Sequence, residues 1–130
     1  MKPLTIIIIL PSLAGGGAEK VILSLIENLD KTNFKPILII QNKIGPLKPN
    51  IIKDNIIDLK CKNFRYAIPK IIKTIRIIKP DIIISTFPHI TLPLVIFKNL
   101  FYKELKIIAR EPNMIDASLD HRGSRAIIFS

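Results

Sequence analysis

Three glycines in a row, Gly15, Gly16 and Gly17, end an apolar run and are followed by a carboxylate, Glu19. Adjacent glycines let the backbone take positive φ and bring its amides against a ligand with no Cβ in the way. Beyond them Val21, Ile22, Leu25, Ile26 and Leu29 recur at helical spacing. The glycine amides therefore open a helix, a favourable place for an anion. Glu19 falls in the first turn, where a carboxylate complements the helix dipole or takes part in a site. Two other short stretches carry chemistry. Thr86-Phe87-Pro88-His89 offers an imidazole as a substrate contact or base. Arg110-Glu111-Pro112-Asn113 offers a guanidinium suited to clamping phosphate or carboxylate, beside a second carboxylate. The plainer alternatives are a tight turn at the glycines, a structural histidine and a surface Arg110–Glu111 pair.

The elements that must position these groups follow from the apolar pattern. Leu4–Leu10 (LTIIIIL) is a β-branched run with no alternation, the pattern of a strand buried on both faces. Lys35–Gln41, Ile56–Leu59, Ile82–Ser85 and Leu105–Ala109 read as further strands. An amphipathic helix is expected over Tyr66–Lys79, with Ile68, Ile71, Ile72, Ile75 and Ile78 on one face. Lys70, Lys73, Arg76 and Lys79 fill its other face, and Pro69 falls in its first turn. An apolar helix is expected over Leu92–Phe101. The order β-α-β-β-α-β-α-β predicts a Rossmann-like, open parallel α/β sheet with helices on both faces. Ligands of such sheets bind outside the carboxyl ends of the strands. There the loops Ser12–Glu19, Thr86–His89 and Arg110–Asn113 converge. Periodicity fails after Asn113, so residues 114–130 read as an irregular tail to a domain spanning 1–113, with Ala126–Phe129 an isolated apolar scrap.

Several classes are excluded. Lys20 stands where the last glycine of a dinucleotide fingerprint would fall, and the second strand ends in Gln41-Asn42 with no acid for a ribose. No Gly-Lys-Ser/Thr marks a phosphate loop. The single cysteine, Cys61, rules out an internal disulfide or a cysteine-based metal site. No apolar run reaches the eighteen or so residues of a spanning helix, although 48% of the 130 residues are hydrophobic and the mean hydropathy is +0.37. The formal net charge of +10 suits an anionic surface. Nucleic acid is not expected as a partner, because no glycine-aromatic RNA motif or zinc-finger spacing accompanies the charge.

The stretches IIIILPSLAGGGAEKVILSLIENL, KPDIIISTFPHI and KIIAREPN, taken in order, resemble the N-terminal half of glycosyltransferase family 4 enzymes. The likeness is to the bacterial members that build surface polysaccharides. It implies one half of a GT-B fold, in which two Rossmann-like domains face a cleft. It implies transfer of a sugar from a nucleotide-sugar donor to a glycan or lipid-linked acceptor, in the cytoplasm or peripherally on the inner face of the cell membrane. By the same resemblance Gly15, Gly16, Gly17 and Glu19 line the cleft near the donor's diphosphate. His89, Arg110 and Glu111 face acceptor or sugar, with His89 and Glu111 the catalytic candidates, and the resemblance implies no metal and no cofactor. The donor-binding C-terminal half has no counterpart in these residues, so the chain is expected to be incomplete and inactive alone. The rival expectation is a non-catalytic basic α/β module whose Lys70, Lys73, Arg76 and Lys79 dock on an anionic membrane or a partner chain.

Overall fold

The computed structural model describes residues 2–48, 55–85, 88–110 and 126–129, with the backbone alone for residues 18, 88, 89, 110 and 126–129. In chain order the elements are β1 (Leu4–Leu10), α1 (Gly17–Asn28), β2 (Phe34–Ile40), β3 (Ile56–Asp58) and α2 (Phe64–Ile78). They continue with β4 (Ile82–Ser85), α3 (Pro88–Phe101), β5 (Lys106–Arg110) and β6 (Ala126–Phe129). One six-stranded sheet has the order β3-β2-β1-β4-β5-β6. The first five strands are parallel, and β6 pairs antiparallel to β5. This is a Rossmann-like open α/β sheet, with the order reversing on either side of β1.

The apolar strands are buried on both faces because helices lie above and below them. Ile7, Ile9, Ile37, Ile39, Ile83 and Ile107 pack against Ala67, Ile71 and Ile75 of α2 and Ile90, Leu94 and Phe97 of α3. On the opposite face Ile6, Ile8, Leu10, Leu38 and Ile40 pack against Ile22, Leu23 and Ile26 of α1. A fully buried isoleucine of this kind contributes roughly 1.5–3 kcal/mol through area removed from water. Cover is uneven: on the α1 face Ile82, Ile84 and Ile108 are only half-buried, whereas Ile83 and Ile107 on the other face are buried. Asp81 ties the amino ends of three strands together. Its carboxylate accepts from Thr5 N at 2.9 Å, its amide donates to Thr5 O at 2.9 Å, and its carbonyl accepts from Lys106 N at 3.3 Å. Pro36 lies within β2 but beyond the stretch that β3 pairs, Leu38–Ile40, so its missing N–H interrupts no ladder there.

Four expectations need correction. The second helix starts at Phe64, so Pro69 is its sixth residue, past the first turn, and withholds the donor that Arg65 O would otherwise take. The third helix starts at Pro88 rather than Leu92. Proline suits a first helical position, since its fixed φ is helical and its lost donor is one the helix leaves unused there. Ala126–Phe129 is no scrap but a strand, in register from Arg110↔Ala126 to Ile107↔Phe129. Its four residues carry no periodic signal, and their partner is distant in sequence. The shorter third strand, Ile56–Asp58, ends as the Asp58 carboxylate turns to accept from Lys60 N at 3.0 Å and Lys43 N at 3.2 Å.

Candidate functional site

The loop between β1 and α1 is held rather than free. Leu13 is buried at its centre. Its amide donates to Ile44 O at 3.0 Å, its carbonyl accepts from Leu47 N at 3.2 Å, and Pro11 O accepts from Asn42 N at 3.1 Å. The loop after β2 thus braces the loop after β1. Gly45 makes this possible: its φ is +127°, and a Cβ there would collide with the Leu13 carbonyl and the Ala14 amide. Sequence reasoning missed Gly45, because nothing in its local pattern says what the loop presses against.

The three adjacent glycines have three different environments. Gly15 needs its φ of +101°, and a Cβ there would meet nothing within 4 Å. Gly16 is the residue before α1 and makes no side-chain cap, while its carbonyl accepts from Lys20 N at 3.1 Å. A Cβ on Gly16 would run into the Glu19 carboxylate. Glu19 is 8% exposed, folded back over the start of its own helix, where its charge opposes the dipole's positive end. A Cβ on Gly17 would likewise meet nothing within 4 Å. The loop therefore presents two open glycine faces beside a carboxylate already seated at the helix N-terminus. That arrangement accepts hydrogen bonds from hydroxyl groups, and an incoming anion must first displace Glu19.

At the neighbouring strand end Ser85 is fully buried, and Thr91 Oγ1 donates to Ser85 Oγ at 2.9 Å. This pair pins the first turns of α3 to the carboxyl end of β4. The only signal for it was a hydroxyl closing an otherwise apolar strand. His89 is the second residue of α3, not part of a loop, and so enters on a helix start beside β4. Arg110 is the last residue of β5, at the same carboxyl edge. Glu111, with Thr86, Phe87 and Pro112–Asn113, lies outside the described residues. Gln41 uses its side-chain amide on Cys61 O at 3.3 Å and Lys62 O at 3.4 Å, a structural role at the position where a dinucleotide fold keeps its ribose acid.

The basic row on α2 divides. Lys70 Nζ donates to Leu59 O at 3.1 Å, which commits it to the end of β3. Lys73 and Arg76 are exposed, and Lys79 ends the helix in the left-handed region at φ 53°. Among the described residues no three His, Cys, Asp or Glu side chains gather as a metal site. No helix among them is long and apolar enough to cross a membrane.

No known protein family, curated protein or solved structure matches this chain.

Proposed function

We propose that this chain is the acceptor-side half of a nucleotide-sugar-dependent glycosyltransferase of surface-polysaccharide type, working on a glycan or lipid-linked acceptor. The observation that carries the reading is the braced glycine loop. Gly15 and Gly17 stand open at a helix start, beside buried Glu19, at the carboxyl end of the central strand where the strand order reverses. Hydroxyl-rich sugars suit such a surface, because carboxylate and backbone groups supply directional hydrogen bonds without bulk. In this reading Glu19 swings off the α1 N-terminus to accept from sugar hydroxyls, and the amides it leaves favour the negative charge that develops on the departing diphosphate. His89 and Glu111 receive or orient the acceptor hydroxyl, and Arg110 pairs with phosphate or carboxylate. The nucleotide itself belongs to a second, donor-binding domain. Such a reaction takes place at the cytoplasmic face of the membrane.

The test is release of nucleoside diphosphate from a panel of nucleotide-sugars in the presence of a membrane extract. The chain alone is expected to be silent, since one wall of a cleft does not exclude water. Joined to a second Rossmann-like domain carrying paired glutamates, it is expected to release diphosphate, and Gly17→Trp, which fills open space, should abolish the release. Silence of the joined form with every donor would overturn the reading.

A further inference from the structure

Outside the carboxyl edge, the outer face of the α2–α3 layer is a feature that the proposed site does not use. Between the two helices runs a groove of about 710 Å³ lined by Ile72, Ile75, Arg76, Lys79, Phe97, Phe101 and Tyr102. Its floor is apolar and two cations stand at its rim. Beside it α3 turns an aliphatic row to solvent: Leu92, Ile96 and Leu100 lie four residues apart and are 65%, 53% and 67% exposed. Phe101 is 76% exposed and Ile77 of α2 is 70% exposed. Neither helix contains an aspartate or glutamate, while Lys73 and Arg76 project from α2 and Lys79 caps it.

We propose that this face docks on an anionic lipid bilayer, with the α3 row in the headgroup–acyl boundary and Arg76 and Lys79 holding lipid phosphates at the mouth of the groove. Aliphatic side chains flanked by long cations are the composition that seats a helix in a membrane interface, where Lys and Arg keep their charge in the headgroups while their stems cover apolar surface. Charge decides against a second copy of the chain, since self-association would press two acid-free cationic faces together. Lysine is depleted in protein–protein interfaces. The most exposed row, Leu92, Ile96 and Leu100, is aliphatic and gives successive bases no stacking platform, and a single ring, Phe101, stands exposed beside it. The inference is independent of the glycosyltransferase reading, because vesicle binding requires neither donor nor acceptor.

Flotation of the purified chain with phosphatidylcholine vesicles, with and without phosphatidylglycerol, tests it. Binding is expected only to the anionic vesicles and should fall with salt. Arg76→Gln/Lys79→Gln should weaken it roughly 30-fold, about 5-fold for each cation. Ile96→Asp/Leu100→Asp, both at exposed positions, should abolish it with circular dichroism unchanged. Lys31→Gln/Lys35→Gln, an equal loss of charge from exposed positions outside this layer, should keep most of it. Full binding by Ile96→Asp/Leu100→Asp, equal binding to neutral vesicles, or competition by free glycerol phosphate would each overturn the proposal. So would a wild-type dimer in light scattering that Ile96→Asp/Leu100→Asp converts to monomer without any vesicle binding, since the occupant would then be a second copy.

Discussion

Glycine identity in this chain answers to three separate demands, and substitution separates them. Gly45→Ala combines positive φ with a backbone collision and should destabilise most, by more than about 2 kcal/mol. Gly15→Ala meets no atom but keeps the unfavourable φ, so a loss of about 1–2 kcal/mol is expected. Gly16→Ala meets only the far end of the Glu19 side chain, which swings out, and the cost should stay below about 1 kcal/mol. Gly17→Ala has open space inside a helix and should stabilise by roughly 0.5–1 kcal/mol. Urea midpoints of the four variants check this ranking, and a destabilised Gly17→Ala would mean that the space over α1 is not open. Gly17 is then the informative residue, because local stability favours alanine at that position.

Two elements meet where α2 ends and α3 closes, and each junction has a measurable consequence. The Tyr102 hydroxyl donates to Pro80 O at 3.1 Å, joining the end of α3 to the turn before β4. Burial, then the charges of Asp81 and Glu104, raise the phenol above its ordinary value. The folded state therefore holds this proton more tightly than the unfolded chain. The stabilisation is complete below the unfolded tyrosine's value of about 10 and is lost as pH rises through the folded value. Urea midpoints measured from pH 8 upward should fall above about pH 10. Tyr102→Phe should lower stability by about 0.5–1.5 kcal/mol at pH 8 and flatten that fall; an unchanged alkaline slope would assign it to other groups. Lys79 shows the opposite compromise. A left-handed helix end favours glycine, so Lys79→Gly should raise stability by about 1 kcal/mol while weakening binding to anionic vesicles. A variant that binds vesicles as wild type does would remove Lys79 from the membrane face.

At the scale of the whole molecule, what was legible in the sequence was whatever local pattern determines. The runs at Leu4–Leu10 and Ile82–Ser85 were read to the residue, because a buried parallel strand leaves an uninterrupted apolar signature. The carboxyl edge as the place of the glycine loop followed from the alternation of strands and helices. What was not legible depends on contacts between distant residues. Lys70 reads as one more surface cation until Leu59 O is found 3.1 Å away. Gly45 reads as a turn residue until Leu13 is found against it. β6 is invisible without β5 beside it. The half-buried flank of Ile82, Ile84 and Ile108 likewise depends on tertiary packing, since α1 is the one helix packed on that face among the described residues.

The position of β1 in the middle of the sheet also sets an order of events in time. β1, α1 and β2 are contiguous, so their pairing closes a short loop. β4 reaches β1 only across the 76 residues that separate Thr5 from Asp81. Loop closure over that span is entropically dearer and slower. A nascent chain therefore completes one half of its sheet while the other edge of β1 still waits, exposing Ile6 to Ile9 to any apolar competitor. Stopped-flow measurements on Ile39→Val and Ile83→Val should find that the first mainly slows folding and the second mainly speeds unfolding. The reverse pattern would mean that the distant pair forms first and the local unit assembles onto it.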